Sequence, residues 1–319
     1  MALNSKQPFK WFIFLLLSLF FLPTKPADSK VKKHNPPPPA ESKAAPTAPP
    51  SVHFFTFGDW GSGTKDQKAV AEEAKKICGQ LACDFGLFLG DNFYPAGVSS
   101  TEDPYWKTRY RDVYTSLKIP FYAALGNHDW KGNPQAQIDF TKKDEYWKMP
   151  NYQYSVKLRP PSMEKALVEI FVLDSDRFDA TAQEWLKKAL GESEAGWKIL
   201  AFHHPILNNG TEHPSDEKKM WPALKPIVCK KIDLILSGHE HIFSHLREEK
   251  NECQYDQVIV GTGGKELYGI RPIAPAGIKP LFSESSFGVA FFEATPQELS
   301  LRFFRADGTE AYRYQWKKP

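Results

Sequence analysis

Short apolar runs recur along the chain and predict β-strands, the earlier ones alternating with helices. Between the earlier runs, Lys65 to Cys78 has a helical pattern, and Thr181 to Leu190 has another that opens with a capping box of Thr181 and Glu184. This alternation predicts parallel βαβ units, whereas residues 256–305 predict consecutive antiparallel strands. The apolar runs lie near 52–58, 84–90, 119–125, 166–174, 197–202, 232–237, 256–261, 286–294 and 299–305.

Five of these runs end in a short polar cluster whose side chains are of the types that bind metal ions. The clusters are Gly58-Asp59-Trp60-Gly61, Gly90-Asp91-Asn92-Phe93-Tyr94, Gly126-Asn127-His128-Asp129, Phe202-His203-His204-Pro205 and Gly238-His239-Glu240-His241. Aspartate and asparagine are poor strand formers and common turn residues, so a single cluster of this kind signifies only a turn. In open α/β sheets the ligand crevice lies beyond the carboxyl ends of the strands. Five clusters in succession therefore predict a polynuclear metal site at one end of a sheet.

The first 50 residues differ in composition from the rest of the chain. An apolar block of 12 residues, Trp11 to Leu22, follows two lysines. It is short for a membrane span and suits a signal-peptide core. Residues 1–25 are therefore interpreted as a signal peptide or an amino-terminal membrane anchor, and residues 26–50, which are rich in proline, as a stiff linker. Residues 51–319 remain as one large α/β domain.

This segment implies that the protein is exported from the cytoplasm and is periplasmic, secreted or membrane-anchored. Any contact with a membrane would be made only by the amino-terminal segment, if it is not cleaved. The four cysteines of an exported chain predict up to two disulfides. Three pairings are possible, of which Cys78–Cys83 with Cys229–Cys253 is preferred, and unpaired thiols are the alternative.

Charge excludes one class of function. The net charge of +3 arises in residues 1–50, which hold 7 lysines and 2 acidic residues. The remaining residues carry 34 basic and 36 acidic side chains. Because the folded part has no excess of positive charge, the sequence does not predict binding to nucleic acid.

The donor types in the clusters indicate which metals would bind. Asp59 and Asp91 offer anionic oxygen, Asn127 offers a carbonyl oxygen, and the histidines offer imidazole nitrogen. Oxygen mixed with imidazole suits iron, manganese or zinc and does not suit a calcium cage or a thiolate zinc finger. Six or seven donors are too many for one ion and enough for two. A carboxylate could bridge two ions about 3.5–4 Å apart, as in two-metal phosphate-cleaving sites.

Some polar residues near the clusters are interpreted as structural. Asp174 ends a strand but belongs to no motif. His204 and His245 suit supporting or surface positions better than metal ligation. Gly261-Thr262-Gly263-Gly264 lacks the Lys-Ser/Thr of a P-loop and is interpreted as a tight turn beside the site.

In order and spacing, the five clusters resemble the motifs of the calcineurin-like metallophosphoesterases. Tyr94, three residues after Asp91, resembles the iron-binding tyrosine of the purple acid phosphatases within that superfamily. GDNFYPAGV, ALGNHDWKGNPQAQIDF and YWKMPNYQYSV are similar to the small, tartrate-resistant, single-domain type. The resemblance covers roughly residues 51–305. It implies an α/β fold of four layers, an α/β/β/α sandwich of two mixed β-sheets flanked by helices.

The resemblance also implies which residues hold the metals. A ferric ion would take Asp59, Tyr94, His241 and the bridging Asp91, and a divalent ion, which could be iron, zinc or manganese, would share Asp91. The further ligands of the divalent ion would be Asn127, His203 and His239. His203 is preferred to His204 because the family pattern has a histidine two residues before the proline.

Two further histidines are implied near the substrate. His128 follows Asn127 directly and matches the family's first such histidine. His213 matches the second only if one residue is inserted before it. Either side chain could act as the general acid that protonates the leaving group.

The function implied is that of an acid phosphatase, which would hydrolyse phosphate monoesters by attack of a metal-bound hydroxide with an acidic pH optimum. The catalytic domain is expected to be monomeric, with a phosphomonoester as its partner. One alternative is a manganese- or zinc-dependent phosphodiesterase or nucleotidase of the same fold. A second alternative is an iron-dependent redox or metal-binding protein.

Overall fold

The computed structural model describes residues 49–213, 220–249, 252–274 and 276–318. The predictions for residues 1–25 and for most of 26–50 lie outside these residues, so they stay predictions. Within the described ranges, no helix is both long enough and apolar enough to cross a membrane.

The first of two seven-stranded sheets contains both the beginning and the end of the domain. Its strand order is β14-β13-β12-β1-β2-β3-β4. Strands β1 to β4 run parallel, and β12 joins β1 antiparallel, followed by β13 and β14 in antiparallel pairs. The strands are β1 (Val52–Phe57), β2 (Phe85–Leu89), β3 (Phe121–Ala124), β4 (Trp147–Lys148), β12 (Gly288–Ala294), β13 (Glu298–Arg305) and β14 (Glu310–Lys317).

The second sheet also has seven strands, in the order β11-β9-β10-β8-β7-β6-β5. Strands β6, β7, β8 and β10 run parallel, whereas β5, β9 and β11 pair antiparallel with their neighbours. The strands are β5 (Tyr154–Leu158), β6 (Val168–Val172), β7 (Trp197–Ala201), β8 (Leu234–Ser237), β9 (Phe243–Glu248), β10 (Asp256–Val260) and β11 (Ile278–Glu284).

Helices flank the two sheets, and the four-layer fold is confirmed. Helix α1 (Lys65–Leu81) contacts β12 and β13 of the first sheet, next to the short helix α2 (Asp112–Tyr114). Helices α4 (Ala180–Glu192) and α5 (Trp221–Val228) pack together over the second sheet, where Leu186 and Leu224 join its apolar cluster. Helix α3 (Pro134–Phe140) follows the third polar cluster. Shorter helical turns span Trp106–Arg111, Thr115–Leu117 and Asp129–Lys131.

The structure corrects two of the expectations. Helix α4 begins at Ala180 and not at Thr181, and its cap is Asp179, whose side chain accepts the Ala182 N–H at 2.9 Å, so the predicted capping box is wrong. In the closing region, β12 and β13 pair antiparallel as expected, but β10 lies parallel to β8 in the other sheet. Sequence adjacency is therefore a poor guide where the chain crosses between sheets.

Both preferred disulfides, Cys78–Cys83 and Cys229–Cys253, are present, with Cα–Cα distances of 5.0 and 5.1 Å. The first closes the end of α1, and the second ties the end of α5 to the segment before β10. Disulfides form and persist in oxidising compartments, which agrees with a location outside the cytoplasm.

A partly buried ion pair of the second sheet is contacted by two aromatic side chains of the first sheet. Arg247 on β9 donates to both carboxylate oxygens of Asp256 on β10, at 2.6 and 2.7 Å. From β14 of the other sheet, the Trp316 indole donates to Asp256 at 2.6 Å, and the Tyr314 hydroxyl accepts from Arg247 at 2.8 Å. Burial alone would raise the pKa of Asp256, but the hydrogen bonds from Arg247 and the His245 ring 3.2 Å away outweigh it and hold the pKa below its usual range.

We predict that this carboxylate stabilises the domain in a pH-dependent way. Its pKa is lower in the folded chain than in the unfolded chain, so the stabilisation is fully present above about pH 4 and is lost as the pH falls further. Asp256→Asn should lower the free energy of unfolding by roughly 1.5–3 kcal/mol at pH 7 and flatten its dependence on pH below 4.

Urea unfolding across this pH range measures both effects. Glu102→Gln is the control, because Glu102 and its partner Lys143 lie on the surface, 76% and 49% exposed, and the substitution should not change stability. Equal effects of the two substitutions would contradict the assigned role of Asp256.

Candidate metal centre

Three of the predicted ligands have an uncommon backbone conformation at the ends of their strands. Asp59, Asp91 and His239 each lie two residues beyond a strand end and have φ values of 59°, 51° and 69°. Left-handed backbone is rare for residues other than glycine and tends to cluster at functional sites. The three side chains are thus aimed by strained turns that the surrounding structure must hold in place.

The glycines of the clusters allow the loops to lie against the carboxylates. A Cβ atom added to Gly126 would stand 2.3 Å from Asp91 Oδ1, and one added to Gly238 would stand 2.6 Å from Asp59 Oδ2. Both distances are far below van der Waals contact, so a larger residue at either position would displace a carboxylate.

One group of donors, here called the tyrosine set, consists of Asp59, Tyr94 and His241. The Tyr94 hydroxyl lies 3.0 Å from Asp59 Oδ1 and 3.3 Å from His241 Nε2. Asp59 Oδ1 and His241 Nε2 are 3.2 Å apart. The three atoms therefore form a nearly equilateral triangle of one phenol, one carboxylate and one imidazole.

A second group, here called the amide set, consists of Asn127, His203 and His239. His203 Nε2 lies 3.2 Å from Asn127 Oδ1 and 3.2 Å from His239 Nδ1. Asp91 stands between the two sets, because its Oδ1 is 3.5 Å from His203 Nε2 while its carboxylate also interacts with the Tyr94 hydroxyl. All seven predicted ligands thus meet in one place, with Asp91 between the two sets.

The spacing and chemistry of these donors fit two metal ions. Oxygen and nitrogen ligands stand about 2.0–2.2 Å from such an ion, so neighbouring ligands around it are roughly 3–3.4 Å apart. The measured separations within each set agree with that spacing. Donor atoms of Asp59, Asp91 and His203 also lie within 4.8 Å of one another.

Backbone carbonyls fix the orientation of two histidines. His203 Nδ1 donates to Leu89 O at 2.8 Å, and His241 Nδ1 donates to the carbonyl of Glu266. In each ring Nδ1 is therefore held as a donor, and Nε2 is the nitrogen that would bind a metal ion once it loses its proton. This arrangement is common among metal-binding histidines.

The electrostatics of the centre follow from the burial of opposite charges. Burial disfavours the charged form of Asp59, but His241 and His203 hold its pKa below the usual range. Burial would likewise lower the pKa of His203, yet Asp91 and Asp59 raise it to about 9. Burial and the same two carboxylates raise the pKa of the Tyr94 phenol well above its ordinary value. The phenol would therefore ionise only beside a strongly charged cation.

The two candidate catalytic histidines lie on opposite sides of the centre. The ring of His128 packs on Tyr94, with centroids 4.5 Å apart, and the ring of His213 packs on His239 at 4.0 Å. His128 Nδ1 donates to Pro95 O at 2.6 Å. His213 Nδ1 stands 3.3 Å from the buried Glu240 carboxylate, which also accepts the His213 backbone N–H at 2.7 Å. The structure thus brings both predicted residues to the site, in different settings.

Asp129 is a supporting residue for which the sequence analysis predicted no role. Its fully buried carboxylate accepts the backbone N–H groups of Asn92, Phe93 and Gly126 at 2.9–3.2 Å, and the amide of Gln137 at 2.8 Å. Burial and Asp91 raise its pKa, to about 7, against the lowering effect of these donors. Asp129 thus clamps together the loops that carry Asp91, Tyr94 and Asn127. In the sequence, the one signal of this role is that Asp129 is an acidic residue inside a motif without being one of the proposed metal ligands.

The chain is similar to known proteins in both sequence and fold. The sequence profile of the calcineurin-like phosphoesterases matches residues 52–243. Purple acid phosphatase 17 of Arabidopsis thaliana is 30% identical over 282 residues, covering 78% of this chain and 80% of that one. Tartrate-resistant acid phosphatase type 5 of Homo sapiens is 28% identical, covering 83% and 91%.

Solved structures share the architecture. Purple acid phosphatase PPD1 from yellow lupin seeds superposes with a TM-score of 0.66 at 16% identity, covering 85% of this chain and 54% of that one. GAP50, described as the anchor in the inner membrane complex of Plasmodium, superposes with a TM-score of 0.73 at 25% identity, covering 84% and 89%. The chain belongs to the calcineurin-like phosphoesterase family and, within it, to the purple acid phosphatases. The resemblance found in the sequence is confirmed.

We predict that removing the Asp129 clamp weakens metal binding without unfolding the domain. Asp129→Asn exchanges a carboxylate that accepts four N–H groups for an amide with one acceptor atom, which should loosen both ligand loops. Metal affinity should fall about 10–100-fold, as is usual for partners that orient ligands. Metal content after dialysis against graded chelator concentrations measures this effect.

Asp139→Asn, on the partly exposed side of α3, is the matched control and should bind metal like the wild type. Unchanged circular dichroism would show that the Asp129 variant is folded. A folded Asp129→Asn protein with wild-type affinity would contradict the clamp.

Proposed function

We propose that this protein is an acid phosphatase that hydrolyses phosphate monoesters at a binuclear Fe(III)–M(II) centre. Membership of the family supports the metal-dependent phosphoesterase chemistry, and the named relatives support the monoester substrate. The observation that carries the proposal is the pair of donor sets that share Asp91, of which one contains a tyrosine.

The chemistry of the two sets supports different ions. Tyr94 is buried beside Asp59 and Asp91, which disfavour its phenolate, so a trivalent ion suits the tyrosine set best. The amide set offers a neutral oxygen and two imidazoles, which suit divalent iron, zinc or manganese. When bound, the ions would offset the charge of the phosphate and lower the pKa of a coordinated water so that it can attack phosphorus.

The chain's own residues account for the remaining needs of the reaction. Cleavage of the P–O bond leaves an alkoxide that must gain a proton. Glu240 holds His213 by accepting its backbone N–H and lies 3.3 Å from its Nδ1, which leaves Nε2 to deliver that proton. His128, half-exposed above Tyr94, suits a different role, donating a hydrogen bond to a phosphate oxygen. Both roles need a proton on Nε2, which favours an acidic pH optimum.

A second candidate function, that of an anchor without catalysis, is supported by the likeness to the Plasmodium anchor protein. The complete pair of donor sets favours the enzyme, because packing alone does not require two buried aspartates beside three buried histidines. Phosphate release distinguishes the two functions. If the metal-loaded chain releases no phosphate from any monoester at any pH, the proposed function fails and the anchor role gains support.

We also propose that the protein acts outside the cytoplasm. The two disulfides support a compartment outside the cytoplasm. We propose that the amino-terminal segment directs export, with the enzyme periplasmic, secreted or membrane-anchored.

We predict that the two histidines differ in their dependence on the leaving group. His213→Asn should lower kcat for alkyl phosphates by about 10²–10⁴-fold, because their alkoxides need a proton, and should affect p-nitrophenyl phosphate far less. His128→Asn should mainly raise KM for both substrates, since it removes a phosphate contact. Steady-state kinetics with the two ester types at acidic pH measure the difference.

His53→Asn is the control, because His53 lies on β1 near its amino end, away from the strand exits, and should retain wild-type kinetics. If His213→Asn slows both ester types equally, or has no effect, its role as the general acid is wrong.

A further inference from the structure

One loop contacts all three members of the tyrosine set. This loop, residues 263–266, follows β10. The Lys265 backbone N–H donates to the Asp59 carbonyl at 3.0 Å, and the Glu266 carbonyl accepts the proton of His241 Nδ1. The Lys265 ammonium lies over the ring of the third member, Tyr94, 5.3 Å from its centroid. The residues just after the predicted tight turn, Lys265 and Glu266, therefore support the tyrosine set.

The position of Lys265 is set by the backbone around it. Gly263 N–H donates to the Gly58 carbonyl at 3.0 Å, next to Asp59. The Gly264 carbonyl accepts hydrogen bonds from the hydroxyls of Ser62 and Thr64, both at 2.9 Å. Because the preceding residues are held by these bonds, the lysine side chain starts from a fixed point above Tyr94.

Part of the charge of Lys265 is balanced by its neighbour Glu266, with which it forms an ion pair. The Lys265 side chain is 30% exposed, whereas that of Glu266 is 64% exposed. Water screens the more exposed carboxylate more strongly, so Glu266 cancels the charge of Lys265 at the ring only in part. An ammonium within about 6 Å of an aromatic centroid interacts with its π electrons.

We propose that Lys265 sets the electronic properties of the metal ion held by Asp59, Tyr94 and His241. This inference rests on the proposed ferric–tyrosinate centre. A positive charge over the ring stabilises the electrons of the phenolate, which makes it a weaker donor. The same charge favours the divalent over the trivalent state of the neighbouring ion, because like charges repel. Lys265 is thus a positioning residue that acts through Tyr94 and the ion, without touching the substrate.

The test uses the full-length chain purified with its iron, and its readouts are the visible charge-transfer band and the midpoint potential of the iron. Lys265→Met removes the charge and keeps the length of the side chain. The potential should become more negative, because the orbitals of the iron rise in energy. The band should move to longer wavelength, because the charge lies over the ring and its loss raises the donor electrons more than the acceptor orbital of the iron. Glu266→Gln removes the opposing charge and should shift both readouts in the opposite direction, and Lys265→Arg should leave them near wild type.

The outcomes separate this inference from the proposed function. Iron content per chain is measured on every sample, so that metal loss is not mistaken for a shift. A band that disappears in Tyr94→Phe but does not move in Lys265→Met would overturn the role of Lys265 and leave the phosphatase proposal intact. An iron-loaded, oxidised wild type without such a band would overturn both, since the lysine would then have no tyrosinate to act on.

Discussion

The two sheets meet around two buried aspartates that are packed against three buried histidines, at the carboxyl ends of strands from both sheets. Asp59 and His203 are fully inaccessible to solvent, and Asp91, His239 and His241 are at most 5% exposed. Ionised groups removed from water are costly unless each is paired. The carboxylates are paired with imidazoles or with backbone N–H groups, as where the N–H of His239 donates to Asp59 at 2.8 Å. Bound cations would provide the stronger compensation.

The two sheets make this concentration of charge possible. Asp59, Asp91 and Asn127 come from strand exits of the first sheet, whereas His203, His239 and His241 come from the second. Each donor set therefore takes ligands from both sheets, and closing the sandwich assembles both sets at once. The left-handed turns at Asp59, Asp91 and His239 are strained, and the packing of the loops around them retains that strain. Supports such as Asp129 and the 263–266 loop hold the arrangement from outside.

How far the sequence predicts the fold depends on the surroundings of each strand. Strands buried on both faces, such as β2 and β6, consist of continuous apolar runs, and these were predicted. Strand β14 was missed because only alternate positions face the core and the others carry Glu310, Arg313 and similar side chains. Strand β4 has two residues and contains too little pattern to detect. Packing between distant segments decides the sheet to which a strand belongs. For that reason the sequence wrongly grouped β10 with the antiparallel strands that follow it, although it lies parallel to β8 in the second sheet.

In the site, the sequence predicts the residues that belong to a motif and does not predict the roles that depend on contacts made only in the fold. The seven proposed ligands stand in motifs at strand exits, and a sequence therefore suffices to propose them, although their metal binding stays a prediction. Asp129 and Glu240 lie in the same motifs, yet their roles depend on groups that only the fold brings near, such as Gln137 and His213. Lys265 follows a glycine-rich turn with no signal of its own, because its distance to Tyr94 is set by loops far apart in sequence.

We propose that two metal ions lie side by side, with Asp91 between them and Tyr94 bound to one of them. Anomalous scattering from crystals of the iron-loaded chain, recorded on both sides of the iron edge, would locate both ions. We expect two peaks about 3.5–4 Å apart. The peak bonded to the Tyr94 oxygen should be iron, and the other should contact Asn127, His203 and His239. A single peak, or two peaks that both lie beyond bonding distance of Tyr94, would contradict it.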